Sequence, residues 1–120
     1  MVLIHASVPA MCDYGAILTG RIPTWPRALK LENGKIADPA EAAALPYFDA
    51  AFFARRIKAE AYLTTGLIDT TCSPSSVFAA YNGIPGKKHI TVLPLKGHSG
   101  TLSPAFVRRV MQIVRKTGEQ

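Results

Sequence analysis

The chain is predicted to fold as an α/β domain with about three parallel strands, helices on both faces and a long irregular segment after the first strand. Three observations lead there. Short apolar runs at residues 2–6, 59–66 and 88–93 alternate with helical patterns. Alternation of this kind builds a parallel sheet through right-handed crossovers. Two of the helical patterns open on Ser-Pro, at Ser73-Pro74 and Ser103-Pro104, where serine caps and proline suits the first turn. The last pattern carries Phe106, Val107, Val110, Met111 and Val114 on one stripe, the spacing of a helix with an apolar face.

The elements follow in order. Residues 2–6 read as a buried strand that stops before Pro9. Residues 12–45 show no periodicity and hold Gly15, Gly20, Gly34, Pro23, Pro26 and Pro39, with Asn33-Gly34 as a turn signal. A stretch this long is usually a functional loop or an inserted cap. A helix is expected from Pro46 or Asp49, with Phe48, Phe52 and Ile57 near one face and Arg55, Arg56 and Lys58 toward its end. A second strand stops at Gly66. The helix after Ser73 runs to about Asn82-Gly83, a third strand covers 88–93, and Gly118 lies just past the final helix.

With 120 residues, 48% hydrophobic and 18% charged, the chain is one domain able to bury roughly two-thirds of its unfolded surface. No apolar run approaches the ~20 residues that cross a bilayer. The apolar start has no basic residue before it, so it reads as a strand rather than a signal peptide. Cys12 and Cys72 are too few for a disulfide framework and are not spaced as a metal site. They read as buried thiols, with a single bridge left open. No metal or cofactor is expected.

The net charge is +6, and after residue 86 seven basic residues face only Glu119. No aromatic residues interleave with them as in a stacking platform, so a solvated helix face is expected rather than a nucleic-acid site.

The chemistry concentrates at two places. Asp69 lies three residues beyond Gly66, and His98 lies beyond the next strand in Gly97-His-Ser-Gly100. Ligands of an open parallel sheet bind outside the carboxyl ends of its strands, so both sit on the functional edge. A carboxylate that accepts from Nδ1 fixes the imidazole tautomer and stabilises the imidazolium formed when Nε2 takes a serine proton. An acid after one strand and a histidine after the next is how a Ser-Asp-His triad ends in many hydrolases. A solvated or capping Asp69 is the plainer alternative. The nucleophile elbow, Gly-x-Ser-x-Gly, is absent from these residues.

The stretch Tyr47-Phe-Asp-Ala-Ala-Phe-Phe-Ala-Arg-Arg-Ile-Lys, then Gly66-Leu-Ile-Asp-Thr-Thr-Cys-Ser-Pro-Ser-Ser-Val-Phe-Ala-Ala-Tyr-Asn-Gly-Ile-Pro-Gly, then Gly97-His98, resembles the C-terminal part of the acetyl xylan esterase / cephalosporin-C deacetylase family. Val8-Pro-Ala-Met-Cys-Asp13 resembles the strand and loop after that family's nucleophile helix. Ser73 stands where the family usually has the first proline of a pair, and Ser99 where an acidic residue is common.

The resemblance implies a partial α/β-hydrolase fold, residues 1–120 being the C-terminal portion of the domain and 12–45 a cap-like segment. It implies a carbohydrate acetyl esterase acting on acetylated xylo-oligosaccharides or similar small acetyl esters, with Asp69 as triad acid and His98 as triad base. The serine and the oxyanion donors would lie upstream of Met1, so the chain alone is expected to be inactive or nearly so. Family members assemble into oligomers.

Ser7 lacks the flanking glycines of an elbow, and Ser75 and Ser76 read as helix-end residues; for Cys72, near Asp69, the resemblance implies a structural role. Tyr14 and Trp25 are candidate substrate-binding aromatics, although Trp25 reads first as an anchor of its long loop. His5 and His89 read as packing residues. An open edge at residues 2–6 predicts an exposed apolar patch, with self-association or pairing to a complementary N-terminal hydrolase half. Two alternatives stand beside the inactive portion of an esterase: one half of a split esterase, or a non-enzymatic binding module using the basic C-terminal helix. No membrane partner is expected.

Overall fold

A computed structural model describes residues 2–118. Three strands, β1 (Leu3–Ser7), β4 (Glu60–Gly66) and β5 (Lys88–Leu93), form a parallel sheet in the order β1-β4-β5. Ser7 lies opposite Thr64, and Gly66 opposite Leu93. The central strand is buried from Ala61 to Gly66 while both neighbours are largely half-exposed. The buried run of β4 is not wholly apolar: Thr64 and Thr65 lie among the buried residues beside Ala61 and Leu63.

Helices lie on both faces. α2 (Ala50–Ala54) and α3 (Pro74–Gly83) cover one, where Ala54, Ala61, Leu63, Val77, Ala80 and Ile84 join Cys12 in a buried core. α4 (Pro104–Gly118) lies on the other, where the rings of His5, Tyr62, His89 and Phe106 pack at centroid distances of 4.5–5.6 Å, Tyr62 and His89 stacked and Phe106 edge-on to Tyr62. His5 and His89 are packing residues there. No helix among the described residues is long and apolar enough to cross a membrane.

The stretch 12–45 is less irregular than its sequence suggests. It holds a 3-10 helix (Tyr14–Thr19), a two-stranded antiparallel ribbon of β2 (Leu31–Glu32) and β3 (Lys35–Ile36), and α1 (Pro39–Ala44). Asn33 and Gly34 both take left-handed conformations, φ 50° and 74°, as a two-residue hairpin turn requires. Asp38 caps α1 by accepting from the Ala40 and Glu41 N–H groups.

The helix expected from Pro46 or Asp49 is also shorter than its pattern. Leu45–Tyr47 is a separate 3-10 turn, and α2 begins after Asp49 and lasts five residues. Phe48 and Phe52 are therefore exposed, at 62% and 49%, and only Ile57 of the expected trio packs on the core.

Asp49 does more than cap. Its carboxylate accepts the N–H groups of Ala51, Asp13 and Tyr14, each at 2.9 Å. It thereby ties α2 to a strained strap in which Val8, Met11 and Asp13 have φ of 43°, 59° and 61°.

The final helix runs through Gly118 rather than ending before it. Val107, Met111 and Val114 of its apolar stripe are exposed, as an unpartnered face requires. Its attachment is polar as much as apolar. The Ser103 N–H donates to His5 Nε2 at 3.0 Å, and Ser103 Oγ lies 2.9 Å from Thr91 Oγ1. Glu60, at the start of β4, receives Tyr62 Oη at 2.7 Å, Lys87 Nζ at 3.0 Å and Arg109 Nε at 3.1 Å. The Tyr62 hydrogen bond first, then those from Lys87 and Arg109, hold the Glu60 carboxyl down at about 2.

Burial pushes the His5 imidazole below its usual value of about 6.5. The unfolded chain thus binds that proton more strongly than the folded one. The His5 contribution is complete above about pH 6.5 and is lost as pH falls toward the lowered value. Glu60 holds its share until the pH drops below about 4.5. The urea midpoint should therefore decline between about pH 7 and about pH 5, and His5→Gln, which keeps an acceptor but cannot be protonated, should flatten that decline. An identical slope in His5→Gln would refute the assignment, since His89 and His98 are common to both proteins.

Candidate active site

The site forms where the loops after β4 and β5 meet beyond the carboxyl edge of the sheet. Gly66 makes the meeting possible. A Cβ there would overlap the Lys96 carbonyl oxygen and lie 2.7 Å from that of Gly97. With no side chain in the way, the two loops join: the Leu67 N–H donates to Leu93 O at 3.1 Å and the Ile68 N–H to Lys96 O at 3.2 Å. The Asp69 N–H returns to Gly66 O at 3.2 Å and closes the turn.

That turn buries Asp69 at 1% exposure. Oδ1 accepts the Thr71 N–H at 2.8 Å and the Cys72 N–H at 2.9 Å, and Oδ2 faces His98 Nδ1 at 3.0 Å. Two backbone donors fix one carboxylate oxygen and leave the other for the imidazole. The His98 side chain is 45% exposed. With Nδ1–H donating to Asp69, Nε2 keeps its lone pair on the open side. The arrangement can take a proton at Nε2 and hold the resulting imidazolium against a buried carboxylate. Asp69 is no solvated loop residue.

Among the described residues no serine hydroxyl or cysteine thiol is hydrogen-bonded to His98. Ser7 Oγ is engaged with Thr64 and Thr101. Ser76 Oγ donates to Ser73 O at 2.8 Å, and Ser75 pairs with Ser73, which caps α3 and donates to Ile22 O. Cys12 and Cys72 are free and buried, and burial pushes their thiols up, Cys12 to about 12. Neither forms a thiolate readily. No group of three or more His, Cys, Asp or Glu among the described residues is placed to hold a metal ion.

Tyr14 is buried and lines a cavity of about 220 Å³ with Leu18, Leu29, Leu45 and Phe52. Neither Asp69 nor His98 lines that cavity. The Trp25 ring is 58% exposed, so it does not anchor its loop. The backbone does so instead, with the Met11 N–H donating to Trp25 O at 2.9 Å. The Trp25 segment nonetheless abuts the Asp69 turn, through Arg27 Nη2 to Thr70 O at 3.1 Å and Ser73 Oγ to Ile22 O at 3.0 Å. These long-range supports have no local signature in sequence. Asp49 announced itself as a cap, not as the tie to residues 13 and 14.

A parallel sheet with helices on both faces and an Asp–His pair beyond its carboxyl edge is part of an α/β-hydrolase frame. The chain belongs to the acetyl xylan esterase (AXE1) family, whose model matches residues 4–115. It is 30% identical over 93 residues to the acetyl esterase Axe7A of Xylanibacter ruminicola, covering 78% of this chain and 21% of that protein. Its fold is similar to the crystal structure of acetyl xylan esterase 1 from Thermoanaerobacterium sp. JW/SL YS485. The TM-score is 0.71 at 29% identity, over 92% of this chain and 36% of that one. It is also similar to an acetyl xylan esterase from Paenibacillus sp. R4, with a TM-score of 0.68 at 27% identity, over 95% of this chain and 37% of the other. The chain thus spans about a fifth of the curated relative and little more than a third of these solved esterases.

The Gly66 contact makes a direct prediction. Gly66→Ala must push the 96–97 backbone away, at a cost of about 1–3 kcal/mol in unfolding free energy, and should shift the His98 ring resonances. Unchanged urea stability together with unchanged His98 resonances would show that the two loops do not touch.

Proposed function

We propose that this chain carries the acid and the base of a carbohydrate acetyl esterase acting on acetylated xylo-oligosaccharides or similar small acetyl esters. The Asp69–His98 pair, 3.0 Å apart with Asp69 buried, is the observation that carries the reading. Family membership and esterase relatives support the substrate class.

In the proposed reaction a serine hydroxyl attacks the acetyl carbonyl while His98 Nε2 takes its proton. His98 then protonates the departing sugar oxygen as the acetyl-enzyme forms. Water, deprotonated by His98, next adds to that ester, and the proton returns to serine as acetate leaves. Asp69 holds the tautomer and stabilises the imidazolium throughout.

The nucleophile and the oxyanion donors come from outside these 120 residues, which form the C-terminal portion of the hydrolase domain, with 12–45 as a cap-like segment. The committed hydroxyls of Ser7, Ser73, Ser75 and Ser76 support this. Trp25 is the better placed of the two aromatic candidates for sugar stacking. Tyr14, being buried, is better suited to shaping its own cavity.

The serine half could also come from a separate polypeptide. The outer edge of β1 has no partner strand among the described residues. Beside it opens an apolar groove of about 250 Å³, lined by Ile4, Ala6, Pro9, Phe53 and Ile57 among others.

Hydrolysis of 4-nitrophenyl acetate tests the assignment. The 120 residues alone should be no faster than their His98→Ala variant. Joined or mixed with a serine-bearing upstream portion of an acetyl xylan esterase, they should gain activity that His98→Ala lowers by about 10³-fold or more. Substantial activity of the chain alone, with a serine-directed reagent on one of its own serines, would overturn the reading.

A further inference from the structure

The loop from β5 to α4 crosses the carboxyl ends of all three strands, and His98 lies in its middle. Its upstream end is fixed at Gly66 and Ile68. Its downstream end is fixed by three residues with no role so far. The Thr101 N–H donates to Ser7 Oγ at 2.9 Å, Ser7 Oγ lies 2.8 Å from Thr64 Oγ1, and Thr64 Oγ1 donates to Thr101 O at 3.3 Å.

Each hydroxyl carries one proton. Thr64 spends its proton on Thr101 O, so Ser7 must donate to Thr64 and accept from Thr101. The three bonds close a ring in which each residue gives one proton and takes one, an arrangement whose members polarise one another. Thr64 is fully buried and is the direct cross-strand partner of Ser7. The ring is thus built into the β1–β4 ladder rather than laid on the surface.

We propose that Ser7, Thr64 and Thr101 are positioning residues that aim His98, resting on the reading that His98 is the base. Between the two anchors lies Gly97-His-Ser-Gly100, whose flanking glycines do little to restrain the backbone. Without the ring, the contact with Asp69 alone would hold a side chain that is 45% exposed. With it, the backbone on both sides of His98 is tied to the sheet. The same ring occupies the Ser7 proton, so Ser7 is a strut and not a nucleophile.

Amide exchange and histidine NMR on the intact chain test this. In the unmodified chain the Thr101 amide should exchange at least 100-fold more slowly than an unprotected loop amide, since its N–H is bonded to the sheet. Exchange at the unprotected rate would overturn the proposal without any variant. Ser7→Ala and Thr64→Val should each raise Thr101 exchange by about tenfold or more and broaden or split the His98 ring ¹⁵N signals, and Thr64→Ser should restore both. Faster Thr101 exchange with His98 signals unchanged would also overturn it. Asp69→Asn keeps the two readings apart. It should change the His98 tautomer while leaving Thr101 protected, and an unchanged tautomer would sink the base assignment rather than the ring.

Discussion

The whole site hangs on one close approach, between the α-carbon of Gly66 and the carbonyl groups of Lys96 and Gly97. Parallel pairing of β4 and β5 delivers both chains to the same edge of the sheet, but pairing ends at Leu93. Beyond it, two loops that carry side chains would splay. A glycine at the last position of β4 lets the second loop lie on the first, and the backbone bonds from Leu67 and Ile68 hold it there. Asp69 and His98 meet because the backbones beneath them already touch.

Burying a carboxylate is unfavourable unless its oxygens are satisfied. The 69–72 turn meets that demand locally: the Thr71 and Cys72 N–H groups converge on Oδ1 just before α3 begins at Pro74. The short spacing from Asp69 to Ser73 therefore serves two ends. It folds the turn around the carboxylate, and it sets a helix cap that reaches across to Ile22. The strap 8–13, the Trp25 segment and the Asp69 turn form one supported surface, with Asp49 holding its far side.

Much of this was legible in the sequence where the signal was local. Gly66, Ser73-Pro74 and Ser103-Pro104 marked the limits of the strands and helices within a residue or two, because stops and caps depend on neighbouring backbone groups. The Asp69–His98 pair was legible because strand ends fix what lies at the sheet edge. Residues 12–45 were not. β2 and β3 have two residues each, too few for alternation to show, and only the Asn33-Gly34 turn gave a sign. α1 is six residues of mostly alanine with no apolar stripe, although Asp38-Pro39 is a fair cap signal. Phe48 and Phe52 misled because helical spacing was read through a break at Phe48 and Asp49. The Ser7–Thr64–Thr101 ring joins residues up to 94 positions apart, and no local pattern announces it.

The excess of positive charge after residue 86 looks different once its partners are known. Lys87 and Arg109 converge on Glu60. Lys88 Nζ donates to the carbonyls of Tyr81, Asn82 and Ile84 at 2.8–3.2 Å, closing the end of α3. Three of the seven cations are thus joinery between α3, β5, β4 and α4, held by short contacts to carboxylate or carbonyl oxygens. A polyanion would have to draw Lys87 and Arg109 away from a carboxyl group they help keep ionised. The same helix leaves Val107, Met111 and Val114 exposed, a stripe that gains from contact with more protein and nothing from contact with phosphate. Lys87, Lys88 and Arg109 thus act within the fold, on Glu60 and on the end of α3.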